Sequence, residues 1–290
     1  MAFRESIAYY NRGGKSSTPD ALGRVLRYKY QEYAFGLERG LLTDRQLYRY
    51  RVWWNQRGVS TPADPRELRY VNPTDVERET SFHPHFCWRK IGAVKGGDWD
   101  LNRHQLKERF PDIYRALEAR YVEGRDWEDI GLVDDVLVGK RHWHHHRGEE
   151  IWDWCDYLDE LYESISSEGY LPQRDVLGMT FSEACDSDTV SVIDWMDDIR
   201  IDIGRDGQYL RHDGKHRLWL AQLLAIDRIP VCVVVRHEEW QQLRDEIASA
   251  GDVDELSDRA RRHLEHPDMV DVRRSLPSVE DPDELTSPNP

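Results

Sequence analysis

Ile199-Arg200-Ile201-Asp202-Ile203, Gly204-Arg205-Asp206-Gly207, the elbow Asp213-Gly214-Lys215-His216-Arg217-Leu218 and the run Ile229-Pro230-Val231-Cys232-Val233-Val234-Val235 make up the stretch whose reading decides the fold. Isoleucines alternating with Arg200 and Asp202 have the period of a half-buried strand. The Gly204 to Gly207 segment reads as a turn and Gln208 to Arg211 as the return strand. Gly214 to Ala225 then predicts a helix with Leu218, Ala221, Leu224 and Ala225 inward, and Val231 to Val235 a strand buried on both faces. A glycine followed by Lys, His and Arg at a helix start has the ingredients of an anion site. Backbone N–H groups and the positive dipole end converge there, and the side chains add charge.

Working outward, Glu238 to Ala248 predicts a further helix. Glu149 to Ser167 predicts another, with Ile151, Trp152, Cys155, Leu158, Leu161, Tyr162 and Ile165 at helical spacing and Gly169 at its end. Pro111 to Val122 is amphipathic through Ile113, Leu117 and Tyr121. Thr43 or Asp44 opens a helix carrying Leu47, Tyr48, Val52, Trp53 and Trp54 as far as Arg57-Gly58, and Asp20 caps one running from Ala21 towards Glu38. Pro62, Pro65 and Pro73 mark a linker, and the aspartates from Asp186 to Asp198 a polar loop. Three segments follow: 1–75 basic and helical, 76–250 an α+β domain with an aromatic-rich insertion, and 251–290 an acidic, partly disordered tail.

The chain has 290 residues, enough for one large domain or two smaller ones, and a net charge of -15. Its 40 basic residues are seven lysines and 33 arginines. Abundant Asp with scarce Lys resembles a salt-in halophile proteome, in which high salt screens self-repulsion. Residues 1–60 carry eleven Lys/Arg against five Asp/Glu, so DNA contact is confined to a basic N-terminal arm, and the acidic body argues against broad nucleic-acid binding. No run is long enough to span a membrane, and Met1 to Asn11 lacks a signal-peptide core, so the expectation is a soluble cytoplasmic protein. Cys87, Cys155, Cys185 and Cys232 lack metal or redox spacing and read as small apolar residues in a reducing compartment.

The pattern strand, Asp213-Gly214-Lys215-His216-Arg217-Leu218, helix, Ile229-Pro230-Val231-Cys232-Val233-Val234 resembles the core of the ParB/sulfiredoxin superfamily, over roughly residues 199–240. The resemblance implies a small mixed sheet with helices that binds nucleotides, the helix after the motif aimed at phosphates. Family members include CTP-dependent DNA clamps, ATP-dependent sulfinic acid reductases, free-serine kinases and proteins described as nucleases. Lys215 stands where sulfiredoxins carry cysteine, which argues against sulfinic acid reduction. No DNA-reading helix-turn-helix follows Val235, which argues against chromosome partitioning. Ala225-Ile226-Asp227 replaces the usual glycine after the helix, predicting a loosely terminated end.

Carried over residue by residue, Gly214 admits close approach of a phosphate, and His216 and Arg217 match the pair that contacts its oxygens. For Arg217 a salt bridge to an acidic neighbour is the competing reading. Lys215 adds a point charge. Asp213 caps the helix, accepts a proton or binds Mg²⁺ beside a nucleoside triphosphate; His216 is the second catalytic candidate. Arg236 and His237 end the buried strand where open α/β sheets place ligands, although His237 equally serves to cap the next helix. The run His142-Trp143-His144-His145-His146-Arg147 fits a polar loop or nucleotide-contacting wall better than a metal site. Asp98, Trp99 and Asp100 form a loop with paired carboxylates and a core tryptophan, and the aromatics of residues 28–54 are expected to form a helical core face rather than stacking platforms. The leading expectation is a nucleotide or phosphate-ligand binder, with phosphotransferase or nuclease activity open; the rival is a non-catalytic DNA-associated protein.

Overall fold

The computed structural model describes residues 41–80, 87–101, 103–140, 148–274 and 276. The helix expected over Ala21 to Glu38, the His142 to Arg147 run and the last dozen residues lie outside the described residues. The fold is mixed α+β around a seven-stranded sheet. Its strands are β1 (Arg69–Val71), β2 (Arg78–Glu79), β3 (Ala93–Lys95), β4 (His104–Gln105), β5 (Ile199–Ile203), β6 (Tyr209–Asp213) and β7 (Ile229–His237). The principal helices are α1 (Asp44–Gln56), α2 (Pro111–Tyr121), α3 (Gly131–Leu137), α4 (Ile151–Glu168), α5 (Lys215–Leu223), α6 (Glu238–Ser249) and α7 (Asp258–Arg262).

The sheet runs β1-β7-β5-β6-β2-β4, with β3 also pairing β7. β5 and β6 form the expected antiparallel hairpin across the Gly204 to Gly207 turn. The chain returns through α5 to place β7 parallel to β5, Ile199 opposite Val231 and Ile203 opposite Arg236. All nine residues of β7 are buried, as its unbroken apolar run requires. The remaining strands are two or three residues long and border this unit; β1 lies within the segment expected to be a linker. Such pieces are too short to carry a periodicity.

Two cores meet at α5. Leu218 and Ala221 share a core with Ile199, Ile201, Ile203, Val231 and Val233 of the sheet and Trp240 of α6. Trp219 and Leu220 instead join a helical lobe built from α2, α3 and α4. The helix is apolar on both flanks, so its own hydrophobic periodicity is weak and its position is fixed by tertiary packing. Its end differs from expectation. Ala225 adopts φ 51°, and Ile226 N–H donates to the Ala221 carbonyl at 3.0 Å, closing the helix sharply without glycine. An alanine in that conformation costs about 1 kcal/mol.

Residues 251–274 pack back against the sheet. Asp268 is fully buried and accepts from Arg69 Nε at 3.2 Å, Arg236 Nε at 2.8 Å, Arg236 Nη2 at 2.6 Å and Trp240 Nε1 at 2.9 Å. Arg244, itself fully buried, donates to the Asp268 carbonyl and pairs with Asp271 at 2.6 Å. Burial alone would raise the Asp268 carboxyl, but Arg236, Arg244 and Arg69 hold it well below the usual carboxylate range.

Next to this clamp, His266 Nδ1 accepts from Asp268 N–H at 3.1 Å while Nε2 donates to the Gly207 carbonyl at 3.0 Å, which fixes the neutral ring. Burial pushes its pKa from 6.5 down to about 4. Between those values the unfolded chain binds a proton that the folded chain refuses. The stabilisation is therefore fully present above pH 6.5 and is lost as pH falls towards 4. His266→Asn keeps an acceptor for Asp268 N–H but cannot titrate. We expect chemical denaturation to show its stability flattening across that window by about 2 kcal/mol relative to the parent; an unchanged slope refutes the assignment.

Candidate functional site

The elbow joins β6 to α5, and Gly214 makes it possible. Its φ is 84°, and a Cβ there would lie 3.1 Å from Ile199 Cα and 3.3 Å from Ile199 Cγ1. The close approach that glycine permits is therefore to the backbone of β5, in addition to any phosphate. Gly214 is the N-cap residue and supplies no capping side chain to the first turn of α5.

Asp213 does not cap that turn. Its Oδ1 accepts Gly214 N–H at 2.8 Å and its Oδ2 lies 3.3 Å from Arg200 Nη1. Burial opposes ionisation, but Arg200 and the Gly214 N–H keep the carboxyl below its ordinary pKa. Asp213 is thus an engaged carboxylate, poorly matched to a general base at neutral pH. Arg217 follows the salt-bridge reading: it donates to the Asp197 carbonyl and lies 3.2 Å from Asp197 Oδ2. His216, expected to point at phosphate oxygens, has its ring edge-on to Trp154 and Trp219 at 5.9 and 6.5 Å, on the helical-lobe side.

Lys215 is the elbow residue that meets other cations. Its Nζ stands 5.5 Å from the Phe110 ring centroid, and the guanidinium carbons of Arg211 and Arg109 lie 5.5 and 5.9 Å from the same centroid. Glu79 holds both arginines, Arg211 Nη2 at 2.6 Å and Arg109 through Nε. Lys215, Arg211 and Arg109 so gather around Phe110 against Glu79 and Asp213, with Arg200 beyond Asp213 and itself shared with Asp197. Burial and the neighbouring Arg211 bring the Lys215 pKa from 10.5 down to about 7, against the opposing pull of Asp213 and Glu79. Arg109, Arg211 and Glu79 were missed in the sequence. Arg211 and Asp213 do sit two apart on β6, a hint that they share a face; no local pattern joins residues 79, 109 and 211.

Arg236 and His237 are not part of this arrangement. The elbow abuts Ile199, at the start of β5, whereas Arg236 pairs with Ile203 at its far end, about 13 Å along the strand. Arg236 is committed to Asp268. His237 caps α6 through Glu239 N–H at 3.1 Å and donates to the Gly97 carbonyl at 2.8 Å. The loop carboxylates at that end are also taken: Arg205 lies 2.9 Å from Asp98 and 2.8 Å from the buried Asp100. A buried His212–Asp202 pair, 2.9 Å apart, ties β6 to β5, and Asp202 also accepts Val235 N–H from β7.

Among the described residues no group of three or more His, Cys, Asp or Glu converges to hold a metal. The donor set of the elbow does not fit a protein-held Mg²⁺, because Glu79 and Asp213 already face arginines. Cys155 and Cys232 are buried free thiols, and burial pushes Cys155 up to about 12. No described helix is long and apolar enough to cross a membrane. No family model matches the chain, and neither does any of the curated proteins or solved structures compared with it.

Proposed function

We propose that the Gly214 elbow binds a nucleotide or another phosphate-bearing ligand, within a core of ParB/sulfiredoxin type. The single observation that carries this reading is the gathering of Lys215, Arg211 and Arg109 beside the N-terminus of α5. The order of hairpin, elbow, helix and parallel return strand supports the family comparison. Lys215 supplies the charge that changes at neutral pH, and Arg211 and Arg109 supply fixed donors oriented by Glu79. His216 and Arg217 set the position of α5 against its two flanks rather than facing the ligand. A metal would arrive with the phosphates.

Calorimetric titration with ATP, CTP, ADP and sulfate tests this. Sulfate keeps its charge across the working range, so its pH dependence reports the protein. Protonated Lys215 attracts the anion and neutral Lys215 does not; sulfate affinity should therefore fall as pH rises through about 7. Lys215→Met should bind about tenfold more weakly below pH 7 and lose the pH dependence. Absence of binding by any of the four anions, or an unaltered profile in Lys215→Met, overturns the reading.

A further inference from the structure

Helix α1 is amphipathic on one face too many. Leu47 and Tyr48 are buried, and Asn55 Nδ2 donates to the Arg89 and Ile91 carbonyls at 3.0 and 2.9 Å, which anchors that side to the body. On another side Tyr50, Trp53 and Trp54 stand at i, i+3 and i+4, a spacing that ordinarily marks a core stripe. Here they are 41%, 62% and 43% exposed. Their centroids form a triangle of 6.3, 6.2 and 6.2 Å. The expectation that the aromatics here form a helical core face therefore holds for Tyr48 and fails for these three rings.

The charge along this helix is mostly positive. Arg45, Arg49, Arg51 and Arg57 stand against Asp44 alone, a local +3 in a chain of net charge -15. The Arg57 guanidinium lies 3.8 Å from the Trp54 ring centroid and that of Arg51 5.4 Å from the Tyr50 centroid. Arg45 is spent on Asp186 at 2.9 Å. Exposed π-faces interleaved with arginines suit a partner that offers flat rings and phosphates together. Duplex bases hide their faces in the stack, so the matching form is single-stranded.

We infer that the Tyr50–Trp53–Trp54 stripe of α1, flanked by Arg51 and Arg57, is a stacking platform for single-stranded nucleic acid. This surface is independent of the elbow. Stacking supplies much of its affinity and few cations take part, so binding falls only shallowly with salt. The test is fluorescence anisotropy of a labelled oligothymidylate with the full chain, at several KCl concentrations and with a duplex competitor. Trp53→Ala and Trp54→Ala should each weaken binding about tenfold, and duplex should compete poorly. Both tryptophans are exposed, so the variants should keep the parent's circular dichroism. Absence of binding by the parent chain, or equal binding by the tryptophan variants, overturns the proposal. Sharp loss of thermal stability in those variants without a change in binding would assign the stripe to packing within the chain. A dimer dissociated by them, with binding intact, would assign it to a second copy.

Discussion

Asp268→Ala should destabilise the protein by about 4 kcal/mol and lower its melting temperature by on the order of 10 °C. The cause is the company this carboxylate keeps rather than its own packing. Arg69, Arg236 and Arg244 are nearly or fully buried around it, and the Trp240 indole N–H also points at it. Removing the anion strands three buried guanidinium groups, with Asp271 and, for Arg69, the exposed Glu67 left to balance them. Asp268→Asn separates charge from shape: it should retain the Trp240 hydrogen bond yet forfeit most of the same energy. Exposed Asp254 serves as the control, and its alanine variant should be nearly neutral. Thermal and urea unfolding decide the matter; an Asp268→Ala protein melting within a degree or two of the parent would show that the arginines are satisfied by water.

Gly214→Val should cost about 3 kcal/mol, and Gly214→Ala about 2. Two penalties combine. A side chain at φ 84° is strained wherever it sits, and here its Cβ also meets the Ile199 backbone, which cannot swing aside as a flexible side chain would. Relief requires the first turn of α5 to move off β5. The anion proposed to bind there should then be held more weakly even at temperatures where the variant is folded, because Lys215 and the N–H groups of that turn move together. If urea unfolding gave Gly214→Ala the stability of the parent, the close approach at Ile199 could not be as described.

The central unit was legible in the sequence because each of its parts has a local signature. The isoleucine alternation marked β5, the unbroken run from Ile229 marked β7, and the Leu158 stripe with Gly169 after it marked α4. Of the two expected starts for α1, Thr43 is the cap, in a capping box with Gln46. The border strands were not legible, since Arg78–Glu79 and His104–Gln105 become strands only by pairing with chain far away. The Asp268 clamp was hidden for a related reason. In an acidic stretch an aspartate reads as a solvated charge, and its arginine partners lie 199, 32 and 24 positions away.

At the elbow the residue types were visible and their directions were not. A helix start with Lys, His and Arg in sequence points them about 100° apart, so one anion cannot collect all three. Burial then divided them: Arg217 went to Asp197, His216 to the tryptophans, and Lys215 to Phe110 and Arg211. Which of the three would keep company with further cations depended on Arg211, carried by β6, and on Arg109, carried by the short helix Leu106–Arg109 that precedes α2.

Helix α5 gives the chain a single keel. Its neighbours Leu218 and Trp219 are planted in different hulls, one in the sheet and one in the helical lobe. The stretch between Leu106 and Tyr170 is therefore no detachable cargo, although it enters the sequence like an insertion. Cutting it away would bare Trp219 and unseat the very turn on which the charged elbow rides.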